Sequence, residues 1–197
     1  MNKAAHSCKL KTERAILEAA VCLLDKHGSA PITMDAVAAE AGVAKGTLFC
    51  HFPCKAALFS AANEHIIEML GGRLCDTAGS GLRGEALLRA TVTVLVDHCV
   101  RKHDIFSNFL TGSADKKSQA RIKACIRSNM QAIVSILRSC SSDGLLRLSD
   151  NALYDSAALF GICRSVVVVN RALGLPITSE QVCEQIISRY LHGTGAR

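Results

Sequence analysis

The sequence predicts an all-α protein of about nine helices, because apolar residues recur at i, i+3, i+4 and i+7 along most of the chain. Its composition agrees. Of 197 residues only 3 are proline, 4% are aromatic and none is tryptophan, whereas a many-stranded sandwich needs frequent turns and strand-forming side chains. The one β-prone run, Val166–Val169, lies inside a long segment without turn residues, and it reads as buried helix.

Composition also bounds the class. Apolar residues at 49% and charged residues at 20% describe a globular chain and argue against disordered or collagen-like sequence. No run of eighteen apolar residues occurs, so no membrane span is expected. The start, Met1-Asn2-Lys3, has no apolar leader, so a cytoplasmic protein is expected. The ten cysteines include no C-x-x-C pair, the spacing common to zinc and dithiol sites. They read as reduced thiols acting mostly as small hydrophobes. A net charge of +6 permits nucleic-acid binding without establishing it. Locally, Lys3, Lys9, Lys11 and Arg14 stand against Glu13 alone, a basic arm read as a tail.

The elements follow in order. A first helix is expected from Thr12, as N-cap, to His27, with Ile16, Leu17, Ala20, Leu23 and Leu24 inward and Gly28 as its stop. Thr33 caps a second helix whose first turn holds Asp35, where the helix dipole favours an acid. Met34, Val37, Ala38 and Ala41 form its stripe. Gly42 supplies a tight turn. From Ala44 to Phe52 a third helix turns Val43, Leu48 and Phe52 inward and leaves Lys45, Thr47, Phe49 and His51 outside. Two short helices about a glycine turn are helix-turn-helix geometry. Pro53 opens a helix over 54–77, its inward set Leu58, Phe59, Ala62, Ile66, Met69 and Leu70. Further helices are expected over 84–103, 104–110, 115–140 and 150–173. Thr178 with Gln181 makes a capping box for the last, 179–192. The domains are placed at 1–55 and 56–197.

Residues 12–58 resemble the tetracycline-repressor (TetR) family of bacterial regulators. The likeness rests on Ala41-Gly42-Val43-Ala44-Lys45-Gly46-Thr47-Leu48-Phe49, His51-Phe52-Pro53, Lys55 and Leu58, with Thr33 and Ala15–Ala20 at matching offsets. Beyond them the match is one of outline, including Gly144-Leu145-Leu146-Arg147 and Tyr190-Leu191-His192-Gly193. The resemblance implies a three-helix DNA-binding domain followed by a helical ligand-binding and dimerisation domain. It implies a repressor that pairs as a homodimer through helices 150–173 and 179–192, binds double-stranded DNA, and releases it on taking up a small apolar effector.

Residue chemistry fits that implication. Thr33, at a helix N-terminus, suits a phosphate. Lys45 and Thr47 are donors able to reach base edges, and Gly46 permits close backbone approach. Phe49, where the family usually has Tyr, offers an apolar contact to a thymine methyl or a sugar. His51 and Lys55 suit flanking phosphates. Apolar residues around most of helices 150–173 and 179–192 exceed what one buried face needs, which favours a dimer. An effector cavity is expected among Phe106, Phe109, Met130 and Phe160, with His98, Asn108 and Arg164 as polar groups. No cofactor and no metal ligand set is expected. The competing reading is a thiol- or metal-dependent enzyme or sensor built on Cys50-His51-Cys54 or His98-Cys99-His103. Its spacings fit no standard zinc site. Cys54, at the start of the fourth helix, is expected to be a poor N-cap.

Overall fold

The computed structural model describes residues 3–27, 32–101, 116–175 and 178–192. Among them the chain is wholly helical: α1 (Lys3–His27), α2 (Met34–Glu40), α3 (Lys45–His51), α4 (Lys55–Ala78), α5 (Gly84–Arg101), α6 (Lys116–Ser142), α7 (Ala152–Ala172) and α8 (Ser179–His192). The helix expected over 104–110 lies outside the described residues, as do Phe106, Asn108, Phe109, His103 and the Gly28 stop.

The contacts divide the chain into two compact units, Met1–Ile66 with Asp104–Ile122, and Ile67–His103 with Lys123–Arg197. The first runs on through three turns of α4. Its core joins Ile16, Ala20 and Leu24 of α1, Val37 and Ala38 of α2, Leu48 of α3, Phe52, and Leu58, Ala62 and Ile66 of α4. These are the apolar positions that the helical periods select. Each fully buried Leu or Ile stabilises by about 1.5–3 kcal/mol.

Two expectations about the N-terminus are corrected. α1 begins at Lys3, not Thr12, and the basic arm forms its opening turns. Thr12 sits inside the helix and donates its hydroxyl to the Cys8 carbonyl at 3.1 Å. A Thr hydroxyl that bonds back one turn tolerates a helix interior, and the preceding residues include no proline or glycine to stop the helix.

In the second unit α5 packs against α7 and α8. Leu88, Val92, Leu95 and Val96 of α5 meet Ile133 and Leu137 of α6, Leu159, Cys163 and Val167 of α7, and Val182, Ile186 and Ile187 of α8. The capping box forms as the sequence requires. The Thr178 N–H donates to Gln181 Oε1 at 3.0 Å and the Gln181 N–H to Thr178 Oγ1 at 3.2 Å. Where α4 and α6 meet inside this unit, Asn129 is buried. Its amide donates to the Ile67 carbonyl at 2.8 Å. A Cβ on Gly71 would stand 2.6 Å from Asn129 Oδ1, so the glycine makes room for the amide.

Burial corrects two more expectations. Met69 is 46% exposed, and Leu74, one turn beyond Leu70, is buried in its place. The run Val166–Val169 is helical, but Val167 alone is buried, and Val168 and Val169 are 42% and 51% exposed. By length and apolar composition α7 would suffice to cross a membrane. Here its inner face packs on α5 and α8.

Candidate nucleic-acid interface

The two short helices are held by local chemistry first. Thr33 Oγ1 accepts the Ala36 N–H at 3.1 Å and so caps α2. At the other end Gly42 takes φ +66°. There the Val43 N–H donates to the Ala38 carbonyl at 3.0 Å and the Gly42 N–H to Ala39 at 3.2 Å. This pair of bonds satisfies the last carbonyls of α2 and turns the chain sharply into α3.

α3 then has one buried anchor. Leu48 is fully buried, and Phe52 just beyond the helix is 5% exposed. Fixing that face leaves Lys45, Gly46, Thr47, Phe49 and Cys50 exposed together. No atom lies within 4 Å of a Cβ built on Gly46, so the backbone there is open to a large partner. A short helix with an open donor-bearing face suits the major groove.

Charge is arranged on the same face. Lys45 Nζ lies 2.7 Å from Asp35 Oδ1 and 3.0 Å from Oδ2, joining the first turns of α2 and α3. Sequence reasoning placed Asp35 only as a helix-dipole acid. Two opposite charges at the starts of adjacent short helices were the available signal. Lys55 is exposed, its ammonium 5.2 Å above the Phe59 ring, an arrangement that favours a cation over an aromatic face. His51 differs from its expected outward orientation. Its side chain is only 8% exposed, with Nδ1 3.8 Å from Glu13 Oε2 on α1. Because His51 lies three residues beyond Leu48, it shares the inward side of α3. Cys54, before the first turn of α4, is exposed.

The second unit brings some expected effector-site residues together. The His98 and Phe160 rings are 6.5 Å apart. The buried Ser156 hydroxyl lies 3.9 Å from Met130 Sδ. Arg164 stands close enough to Cys99 to act on its thiol. Asp97 accepts from the Arg73 guanidinium at 3.1 Å. A groove of about 730 Å³ opens along the outer faces of α7 and α8, lined by Ile162, Val166 and Val169 against Val182, Ile186 and Arg189.

Burial pushes Cys99 up from its ordinary 9.0 to about 11, with Arg164 opposing. Burial also raises Cys140, Cys163 and Cys183. Raised thiols are poorer nucleophiles at neutral pH. Among the described residues no group of three or more His, Cys, Asp or Glu side chains is placed to hold a metal ion.

Residues 16–62, the span holding this surface, match the family model of bacterial regulatory proteins, tetR family. The match assigns this segment, α1 from Ile16 through α2 and α3 to the start of α4, to a TetR-type domain. The nucleoid occlusion factor SlmA of Escherichia coli O1:K1 / APEC is 27% identical over 149 residues, 76% of this chain and 75% of SlmA. The TetR-like regulator LfrR from Mycobacterium smegmatis, solved with proflavine, superposes with a TM-score of 0.72 at 19% identity, covering 96% of this chain and 99% of LfrR. FadR from Bacillus subtilis, solved with stearoyl-CoA, gives 0.70 at 14% identity over 92% and 99%. At those identities the two structures establish a shared fold. That shared fold extends over α4–α8 as well as the segment that holds α1–α3.

Proposed function

We propose that the protein is a transcriptional repressor that binds a near-palindromic operator as a homodimer and releases it on taking up a small apolar or amphipathic effector. The exposed face of α3 carries the proposal. Leu48 fixes the helix while Lys45, Thr47 and Phe49 face outward, the side-chain set that reads base edges. Lys55 supplies a phosphate contact at the flank, and the Thr33 hydroxyl, already the cap of α2, has its proton to donate to another. His51 reaches a phosphate only by leaving Glu13.

The dimer reading rests on α7 and α8. Leu153, Ile162, Val168, Val169 and Leu173 leave large apolar surface in water, and the α7–α8 groove is continuous with part of it. A second copy related by a two-fold axis would cover both. The effector reading rests on His98, Met130, Phe160 and Arg164, apolar lining with few polar groups. The bound proflavine of LfrR and stearoyl-CoA of FadR are the kind of molecule such a lining suits.

The test is equilibrium binding to the DNA flanking the gene, measured over a salt series. Specific binding with a steep salt dependence is expected. Equal binding to that DNA and to a scrambled duplex would count against the operator reading.

A further inference from the structure

The Lys45–Asp35 pair puts an anion on a surface that the reading above assigns to a polyanion. Asp35 is more than half exposed, as is Lys45, with side-chain exposures of 65% and 61%. A lone carboxylate there opposes every phosphate that approaches, whatever the sequence. It also ties up the ammonium that would otherwise swing to the nearest phosphate. What Asp35 does favour is a base edge carrying a donor.

We propose that Asp35 is a specificity-determining residue, and that Lys45 and Asp35 together read one G·C base pair in each half-site. The major-groove edge of G·C presents two acceptors, guanine N7 and O6, beside one donor, the cytosine amino group. An ammonium held 2.7 Å from a carboxylate presents donors beside an acceptor in the complementary order. Lys45 donates to guanine and Asp35 accepts from cytosine, so their contact survives as a shared edge. An A·T pair sets a thymine carbonyl and methyl on one side and an adenine amino group between two acceptors. The carboxylate then faces an acceptor and is left unsatisfied. Asp35 therefore lowers affinity for DNA in general and returns it at one base pair only. This proposal rests on the DNA-binding reading of α2 and α3.

The experiment is selection from a random-sequence duplex pool by the full-length wild type, Asp35→Ala and Asp35→Asn, with melting curves to check that each variant folds. The wild-type motif is expected to hold an invariant G·C pair in each half-site, discriminated roughly tenfold or more. Asp35→Ala is expected to lose that preference to within about threefold and to bind unrelated duplex more tightly, its salt slope steeper by about one phosphate contact. Asp35→Asn, which keeps the shape, should lose the G·C preference too, since Asn favours adenine. An unchanged motif in both variants, or a rise in affinity equal for all sequences, overturns the proposal. A wild-type pool that enriches no motif overturns the DNA-reading assignment itself, a distinct result.

Discussion

Lys45 and Lys55 differ in what they can contribute, though both are exposed lysines near α3. Lys45 opens α3 on its exposed face, which the proposed reading turns toward the groove. Its replacement by Ala is expected to weaken operator binding by about 1–3 kcal/mol and to relax preference at one position, if it reaches a guanine. Lys55 opens α4, held over Phe59, where the proposed reading gives it the DNA backbone and not bases. Lys55→Ala is expected to weaken binding to all sequences alike and to reduce the salt slope by about one. Fluorescence anisotropy at matched salt separates the two patterns. Identical behaviour of both variants and wild type would remove α3 as the recognition helix.

At the scale of elements, α3 depends on one side chain. Seven residues cannot hold a helix alone, so burial of Leu48 against α1, α2 and α4 fixes its angle. Leu48→Ala is expected to cost about 2–5 kcal/mol, read from denaturant midpoints. The α4–α6 contact depends on Asn129. Its replacement by Ala is expected to cost about 1–3 kcal/mol, since the Ile67 carbonyl loses its side-chain donor, and Gly71→Ala should cost stability through the same amide. How far such elements were legible follows from their physics. Helices with a three- and four-residue apolar period, Thr33 as a cap and the Thr178–Gln181 box are local, and the sequence displays them directly. The start of α1 was missed because Thr12 serves a cap and a helix interior equally well in sequence. Met69 and the outer valines of Val166–Val169 are misplaced because periodicity gives an apolar stripe but not which neighbour covers it. At the candidate site, the outward Lys45, Thr47 and Phe49 follow from Leu48. The inward turn of His51 follows from Leu48 too, three residues back, whereas the Asp35 contact depends on how separate helices meet.

Across the whole molecule, buried titratable groups set an alkaline limit. Cys99 is pushed from 9.0 to about 11 and Tyr190 from 10.0 to about 12, in both cases chiefly by burial. The unfolded chain ionises these groups first, so their contribution to stability is intact below pH 9.0 and is lost as pH rises through the folded values. The urea midpoint is therefore expected to fall between about pH 8 and about pH 10.5, and to fall less in Cys99→Ala. A flat midpoint would contradict that burial. Sedimentation at micromolar concentration is expected to give a dimer, which the exposed apolar face of α7 favours. The central claim, two copies reading DNA through α3, is tested most directly by hydroxyl-radical footprinting on a duplex enriched by the wild-type protein. Two protected segments about 34 Å apart, one DNA turn, are expected. A single protected segment, or uniform protection along the duplex, would contradict it.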